Sequence, residues 1–179
     1  MKRPSTRPRT PNEHNVRERA RRLLNHGAQL LQEGQAREAM SMLERAYALL
    51  PGDVPTAINL GGACILGKKY KRAIEVLEHA REQEPDNEMI WINLGAAYLG
   101  NPILAQDQEQ QAAIAAFERA LAINPAAPNV HYNLGLIHRD RGETKVARLR
   151  FQQAIQANPL DRHARNALQR LQAQPEPSE

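Results

Sequence analysis

The stretch WINLGAAYLGNP, residues 91–102, places apolar side chains at helical spacing and yet has a glycine, Gly95, near its centre. Glycine in a helix interior costs roughly 1 kcal/mol relative to alanine. Its presence indicates a position where another part of the chain comes too close for a side chain. The rest of the sequence shows whether this feature is isolated or repeated.

The stretch recurs four times in one register. The matching segments are LLNHGAQLLQEG, AINLGGACILGK, WINLGAAYLGNP and HYNLGLIHRDRG, which begin at residues 23, 57, 91 and 131. Their glycines lie 34, 34 and 40 residues apart, at Gly27, Gly61, Gly95 and Gly135. Prolines repeat at intervals of 34, 40 and 34 residues, at Pro51, Pro85, Pro125 and Pro159. Two landmarks with the same period predict four units, over residues 20–53, 54–87, 88–127 and 128–161.

Each unit has the pattern of two helices, here called helix A and helix B, followed by a proline that stops helix B. Helix A must lie against its own helix B and against the next helix A, and packing at about 8–9 Å requires small side chains. The central glycines meet that requirement, and alanines recur with them at Ala39, Ala46, Ala73, Ala80, Ala113, Ala120, Ala147 and Ala154. Large residues are predicted to fill the space around the crossings, at Trp91, Leu94, Tyr98, Phe117, Leu134 and Phe151.

The pattern resembles the tetratricopeptide repeat (TPR) family, whose unit has 34 residues, small and large residues at fixed offsets and a proline near its end. The resemblance covers about 142 of the 179 residues. It implies an all-α fold, an α-solenoid of four stacked helix-turn-helix units. It also implies a right-handed curvature with helices A lining the concave side.

The third unit is six residues longer than the others. Asp107 and Gln110 can form a capping pair for a helix B that starts near Gln108, which leaves residues 101–106 as an enlarged turn. The alternative is a helix B that is extended by nearly two turns from Pro102, a good first helical residue. We favour the enlarged turn.

Segments of different composition flank a predicted TPR domain of residues 15–173. Residues 1–14 are basic, polar and proline-rich, so we expect a disordered arm that ends where Asn15 and Glu18 cap the first helix. Residues 174–179 are expected to form a disordered tail.

A capping helix is predicted over residues 162–173, directly after the fourth unit. Asp161 is a favourable N-cap, and apolar residues follow at i, i+3, i+4 and i+7. These apolar residues are Ala164, Ala167, Leu168 and Leu171. The arginines of this helix are expected on its outer face, at Arg162, Arg165 and Arg170.

No pattern of residues points to catalysis. His131 and His138 lie seven residues apart on one predicted helix, but they occupy the packing offsets of Trp91 and Tyr98. Cys64 also fills a packing offset, and no neighbouring residue argues for an activated thiolate. No metalloprotease, serine hydrolase, phosphate-loop or dinucleotide motif is present. We therefore expect a protein that is not an enzyme and has no cofactor and no metal.

Positive charge is concentrated at the amino-terminal end. Residues 1–22 hold eight Lys or Arg and two Glu, a net charge of +6, whereas the whole chain carries +4 and the remainder is therefore −2. Nucleic-acid or acidic-surface association through the basic arm is thus an alternative function. A solvated tail is favoured over it, because no aromatic residue interleaves the arginines and the body of the chain is slightly acidic.

The expected location is the cytoplasm. A single cysteine excludes an internal disulfide framework, no run of 18 apolar residues exists, and the amino terminus lacks the apolar segment of a signal peptide. We therefore expect a soluble protein with no membrane partner.

The resemblance implies that offsets 2, 5, 6, 9, 12 and 13 of each unit face the concave groove. The informative positions are the candidate peptide-binding residues, and all of them fall on helices A. They are Leu24, Asn25, Ala28, Leu31, Ile58, Asn59, Gly62, Ile65, Ile92, Asn93, Ala96, Leu99, Tyr132, Asn133, Leu136 and Arg139.

Asparagine at offset 6 of every unit is the first notable feature of these positions, since asparagine is a mediocre helix former. The row resembles the asparagine ladder with which some family members hold a peptide backbone. The alternative is that the amides bond between neighbouring helices. An apolar stripe beside the row, from Leu24 through Ile58 and Ile92 to Tyr132, suits an amphipathic helix or an extended apolar segment.

The carboxylate clamp of some family members is not expected here. Leucine, isoleucine, alanine, glycine, methionine and asparagine occupy the offsets at which that clamp has Lys and Arg. The sequence therefore predicts a non-catalytic adaptor whose groove binds a peptide or helix of a protein partner. Self-association, in which a segment of one molecule occupies the groove of another, remains a further alternative.

Overall fold

The computed structural model describes residues 11–100 and 107–173, which form nine α-helices and no strand. The helices are α1 (Pro11–Gln32), α2 (Ala36–Leu49), α3 (Val54–Leu66), α4 (Tyr70–Gln83), α5 (Glu88–Leu99), α6 (Asp107–Ile123), α7 (Val130–Asp140), α8 (Thr144–Ala157) and α9 (Arg162–Ala173). Four hairpins and a final helix result, which confirms the predicted all-α architecture.

The chain divides into two compact units between Pro85 and Asp86. In unit 1, α1 packs on α2, α3 packs on α4, and α2 also contacts α3. In unit 2, α5 packs on α6, α7 packs on α8, α6 contacts α7, and α9 packs on α8. Each predicted repeat thus supplies one helical hairpin.

Prolines stop helices B as predicted. Helices α2, α4, α6 and α8 each end two residues before a proline of the repeated set. Acidic or amide side chains then cap α3, α5 and α9, whereas the side chain of Asn129 forms no cap bond at the start of α7. The Asp53 carboxylate accepts from the backbone N–H of Thr56 (3.1 Å), and Asp161 accepts from those of His163 (2.9 Å) and Ala164 (3.0 Å). The predicted N-cap of the final helix is confirmed.

The turns between helices A and B share one backbone conformation in the first, second and fourth repeats. A residue with positive φ follows helix A in each, at Gly34, Lys68 and Gly142. The next backbone N–H bonds five residues back, from Gln35 to Leu30, from Lys69 to Cys64 and from Glu143 to His138, at 2.7–2.8 Å. This pattern satisfies a carbonyl at the end of helix A.

The first helix begins earlier than predicted. Asn15 and Glu18 do not cap α1, because the helix starts at Pro11 and both residues lie inside it. Proline is favourable at the first helical position, where its missing N–H has no partner to lose. Glu18 instead lies 3.4 Å from His14. Residues 1–10, most of the predicted arm, lie outside the described residues, as does the predicted tail.

The enlarged turn of the third repeat, residues 101–106, also lies outside the described residues. Helix α6 begins at Asp107, next to the predicted start at Gln108. The carboxylate of Asp107 and the amide oxygen of Gln110 accept hydrogen bonds from Arg141, at 3.0 and 3.2 Å. These bonds tie the start of α6 to the α7–α8 turn.

Polar contacts join helices B of successive repeats within each unit. Arg72 on α4 binds Glu44 on α2 through two bonds of 2.9 Å, and the Tyr47 hydroxyl lies 2.8 Å from Nδ1 of His79. In unit 2, Arg150 on α8 binds Glu118 on α6 at 2.9 Å. A bidentate arginine–carboxylate pair is the strongest geometry for such a contact.

The central glycines are explained by contacts within each hairpin. A Cβ built on Gly27 would lie 2.6 Å from Leu43, and one on Gly61 would lie 2.7 Å from Leu77. In unit 2 the corresponding distances are 2.6 Å from Gly95 to Phe117 and 2.5 Å from Gly135 to Phe151. Each glycine of helix A therefore admits a large side chain of its own helix B.

Buried side chains surround these contacts. The eight recurring alanines are at most 6% exposed, and Leu94, Phe117, Leu134 and Phe151 are fully buried. Trp91 and Tyr98 are only half-buried and pack against the cluster that contains Phe117. The predicted core residues are therefore confirmed as buried, except that Trp91 and Tyr98 lie at the edge of the core.

Substitution of the adjacent glycines 61 and 62 should have opposite effects on stability. Gly61→Ala forces a Cβ onto the buried Leu77, and overpacking of this kind costs about 1–3 kcal/mol. Gly62→Ala meets nothing within 4 Å, so it should gain about 0.5–1 kcal/mol of helix propensity. Denaturant unfolding followed by circular dichroism measures both effects.

The double variant Gly61→Ala with Leu77→Ala provides the control. With the leucine truncated, the added methyl group no longer meets it, and the penalty of Gly61→Ala should disappear. An equal penalty in both backgrounds would show that the contact is not the reason for the glycine.

Candidate functional site

The candidate residues of unit 1 lie on helices α1 and α3, which contact each other. Asn25 is exposed, and the remaining seven are half-buried: Leu24, Ala28, Leu31, Ile58, Asn59, Gly62 and Ile65. Residues between them in sequence, such as Leu30, Leu60 and Cys64, are buried in the core. We call these eight residues the unit-1 face.

The candidate residues of unit 2 lie on α5 and α7. Arg139 is exposed, and the remaining seven are half-buried: Ile92, Asn93, Ala96, Leu99, Tyr132, Asn133 and Leu136. Ile92 and Leu99 pack against the cluster of Phe117, whereas Tyr132 and Leu136 pack against the cluster of Phe151. We call these eight residues the unit-2 face.

Of the asparagine row, Asn59 shows a bonding pattern that neither predicted alternative describes. Its side-chain N–H donates to the carbonyl oxygen of Pro55, one turn earlier in the same helix, at 2.8 Å. A side-chain amide has two N–H groups and an oxygen, so this bond fixes the amide and leaves one donor and the acceptor for other partners. The bond lies within a helix and not between helices.

The sequence did not single out two features of α3: the open space beside Gly62, here called the notch, and the exposed Leu66 next to the unit-1 face. Nothing lies within 4 Å of the position that a side chain on Gly62 would occupy. Leu66, one turn later on α3, is 62% exposed. Leu66 occupies offset 13 of the second unit, which is one of the offsets that the family resemblance assigns to the groove. That offset could have identified Leu66 from the sequence.

A cleft lies between α7 and α9 in unit 2. It has a volume of about 330 Å³ and is lined by Tyr132, Arg139, His163, Asn166, Ala167, Arg170 and Leu171. Arg170, predicted on the outer face of α9, is exposed and also lines this cleft, because it follows His163 by two helical turns and shares its side of the helix. Arg162 and Arg165 do lie outside, where they line a separate cleft with Leu160.

Basic side chains also cover the first half of α1. Arg17, Arg19, Arg21 and Arg22 are all exposed, and no ion-pair partner for them occurs in the described part of the chain. Residues 12–19 are exposed apart from the half-buried Val16, and Ala20 is the first buried residue. This basic segment therefore precedes the packed part of the first hairpin.

Three family models of the tetratricopeptide repeat match the chain, over residues 30–97, 103–142 and 132–174. The chain belongs to the tetratricopeptide repeat family. The predicted family is confirmed, and the four hairpins are TPR units.

Two curated relatives contain a segment similar to this chain. The tetratricopeptide repeat-containing protein trd-1 of Caenorhabditis elegans is 31% identical over 151 residues, 83% of this chain. The peroxisomal targeting signal receptor of Kluyveromyces lactis is 30% identical over 105 residues, 59% of this chain. The chain spans 18% of the length of each relative.

A solved structure shows the same TPR fold. The crystal structure of TTC0263, a thermophilic TPR protein from Thermus thermophilus, superimposes with a TM-score of 0.74. It is 23% identical, and the match covers 85% of this chain and 80% of that chain. The likeness concerns the fold alone.

Of the two histidines of the fourth TPR, only His138 is buried as its packing offset predicts. His138 is buried, and its Nδ1 lies 2.5 Å from the Glu143 carboxylate, next to Arg141. Burial lowers the pKa of His131, which is half-buried. Within residues 11–100 and 107–173, no three histidine, cysteine, aspartate or glutamate side chains come together as a metal site would require.

Two further properties of the TPR chain bear on its function. None of the described helices is long and apolar enough to span a membrane. Cys64 is fully buried in α3, and burial, assisted by the negative charge of Glu44, raises the pKa of its thiol to about 11. A buried thiol with a raised pKa is unsuited to be a nucleophile.

Cys64 should therefore resist thiol reagents in the native TPR protein. A pKa of about 11 in place of 9.0 lowers the thiolate fraction near pH 8 by about a hundredfold, and burial blocks access as well. With Ellman's reagent, the absorbance of the released thionitrobenzoate should rise slowly in buffer. In denaturant, one equivalent of thionitrobenzoate per chain should be released rapidly. Native labelling as fast as that of free cysteine would contradict the burial, and Cys64→Ala provides the blank.

Proposed function

We propose that this TPR protein is a non-catalytic adaptor that acts in the reducing cytoplasm. It binds an extended peptide segment of a protein partner through the unit-1 face and the unit-2 face. One observation carries the proposal. None of the sixteen candidate groove positions is buried, while residues interleaved with them, such as Leu30, Leu60 and Leu134, are committed to the core.

Apolar side chains on the unit-1 face support this function. Leu24, Leu31, Ile58 and Ile65 are each only half-buried, and Leu66 beside them is mostly exposed. An apolar surface of this kind, interrupted by the notch at Gly62, fits an apolar side chain of a bound segment. The name of the yeast relative describes a targeting signal receptor, which is also a recognition role.

Asn59 supplies the polar part of the proposed interaction. Its bond to Pro55 holds the amide on α3, so little side-chain entropy is lost when a ligand binds. The remaining N–H and the oxygen can pair with one C=O and one N–H of a peptide backbone. Such pairing ignores the side chains of the ligand, so the apolar residues provide the selectivity.

Filling the notch should remove binding without unfolding the protein. In Gly62→Met the new side chain enters open space, so helicity should be retained while the bound segment is excluded. The sequences of partners captured by the wild-type protein are divided into short overlapping peptides. The affinity of each peptide is measured by fluorescence anisotropy. We expect a loss of at least about tenfold, or roughly 1.4 kcal/mol.

Ser41→Met is the matched control, since it adds the same side chain at an exposed position of α2. It should leave the affinity unchanged. If the mapped peptides bind Gly62→Met as tightly as the wild type, the unit-1 face is not the binding site.

Asn59→Ala tests the polar part separately. Loss of backbone hydrogen bonds should weaken every unit-1 peptide by about fivefold, corresponding to roughly 1 kcal/mol. The effect should be similar for peptides with different side chains. A loss confined to one peptide sequence would contradict backbone recognition by this amide.

Nucleic-acid association is the second candidate, favoured by the four exposed arginines at the start of α1. Replacing Arg17 and Arg21 with glutamine should then weaken binding of a labelled oligonucleotide and flatten its dependence on salt. Glutamine at both Arg162 and Arg165 of α9, which are exposed, is the control with the same change of charge. Equal losses in the two proteins would indicate only an effect of net charge.

A further inference from the structure

The cleft between α7 and α9 has two chemically different ends. Tyr132 and Arg139 are seven residues apart on α7, and His163 and Arg170 are seven residues apart on α9. Seven residues are two helical turns, so both members of each pair lie on the same side of their helix, about 10 Å apart. The rings of Tyr132 and His163 lie 6.2 Å apart at one end. The two arginines therefore line the other end.

The aromatic end of the cleft packs against the core of unit 2. The Tyr132 ring lies 5.8 Å from the ring of Phe151, which is fully buried in α8. Tyr132 itself is half-buried and joins the cluster that includes Leu171 of α9. The ring thus has a fixed position, and the part of it that lines the cleft can receive an apolar group or a proline ring.

The guanidinium end carries one positive charge without an ion-pair partner among the described residues, that of Arg170. None of the seven lining residues is an aspartate or a glutamate. Arg139 bonds to its neighbour Asp140 at 2.8 Å, whereas no ion-pair partner for Arg170 is present in the described part of the chain. Both arginines are exposed. A carboxylate placed between them can form charge-assisted, bidentate bonds with Arg170, the geometry that arginine favours, while Arg139 adds positive charge beside its pair with Asp140.

The spacing of the two ends fits a polyproline II segment. That conformation rises about 3.1 Å per residue with three residues per turn, so residues i and i+3 lie on one side about 9 Å apart. The two ends of the cleft are separated by nearly the same distance. A proline-rich segment would also lose little conformational entropy on binding.

We propose that the α7–α9 cleft binds a proline-rich, acidic peptide segment of a partner, with an apolar residue against Tyr132 and a carboxylate three positions later between Arg139 and Arg170. This site rests on the proposed adaptor function and gives it a second specificity, because the unit-1 face selects apolar side chains. The asparagine row takes no part in it, and of the apolar stripe it uses only Tyr132.

Two labelled peptides that differ in one group test the cleft. One has Leu-Pro-Pro-Glu at the centre of a proline-rich sequence, and the other has Leu-Pro-Pro-Gln. By fluorescence anisotropy, the wild-type protein should bind the glutamate peptide about tenfold more tightly. A third peptide with the glutamate one position closer to the leucine should bind no better than the glutamine peptide.

Arginine variants assign the effect to the cleft. Arg170→Gln should abolish the preference for glutamate, whereas Arg165→Gln, an equal charge change on the other side of α9, should keep it. In Arg170→Glu, a peptide with lysine in place of glutamate should bind better than the glutamate peptide. Circular dichroism should be unchanged, since Arg170 is exposed.

Several outcomes would overturn the proposal. Equal affinity of the glutamate and glutamine peptides for the wild type would exclude a carboxylate site, and equal effects of Arg165→Gln and Arg170→Gln would leave only net charge. Binding that occurs only after residues 174–179 are removed would make the chain's own acidic, proline-containing tail the occupant in place of a partner.

Gly62→Met separates this site from the adaptor function. The variant should bind the glutamate peptide normally while it loses the peptides of the unit-1 face. If the glutamate preference is absent while sensitivity to Gly62→Met remains for other peptides, the cleft proposal is wrong and the adaptor function stands. If the glutamate preference and the sensitivity to Gly62→Met are both absent, the adaptor function is wrong as well.

Discussion

A glycine of helix A against a leucine or phenylalanine of helix B is the contact on which each hairpin depends. In the first two repeats the glycine faces leucine, and in the last two it faces phenylalanine, always with less room than a methyl group needs. The contact fixes which side of helix A faces its partner. Since an α-helix turns by about 100° per residue, the candidate offsets lie about 40–160° around helix A from the glycine, on one flank, where they are at most half-buried. The candidate binding surface is thus a consequence of the packing.

The two units present different chemistry on those uncovered sides. The unit-1 face consists mainly of leucine, isoleucine, alanine and asparagine, with a glycine that leaves a gap. At the far end of unit 2, α9 adds His163, Asn166 and Arg170 beside Tyr132 and Arg139. Helix α9, which was predicted as a capping helix, therefore also adds polar and positively charged side chains to the cleft beside α7.

Much of this fold could be predicted because a repeat multiplies weak signals. One glycine at position 95 proves little, but four in register predict a close approach in every hairpin, and four prolines predict the ends of helices B. The TPR family and the all-helical architecture were confirmed on that basis. The identity of the groove residues rests on offsets taken from the resemblance, and it stays a prediction.

Other features escaped sequence reasoning for physical reasons. The start of α1 at Pro11 depends on a local preference that capping residues further along the helix, such as Asn15, obscured. The position of Arg170 follows from helical periodicity, but its proximity to Arg139 depends on how α9 packs beside α7. The intrahelical bond of Asn59 requires a side-chain rotamer, and sequence does not specify rotamers.

The division of the chain between Pro85 and Asp86 has a consequence for cooperativity. In repeat proteins most contacts join nearest neighbours, so separate parts of an array can lose structure at different denaturant concentrations. This chain has one cysteine and one tryptophan, and the division places Cys64 in the first unit and Trp91 in the second. Thiol accessibility and indole fluorescence are therefore two built-in reporters, and the difference between their midpoints reveals whether the halves melt together.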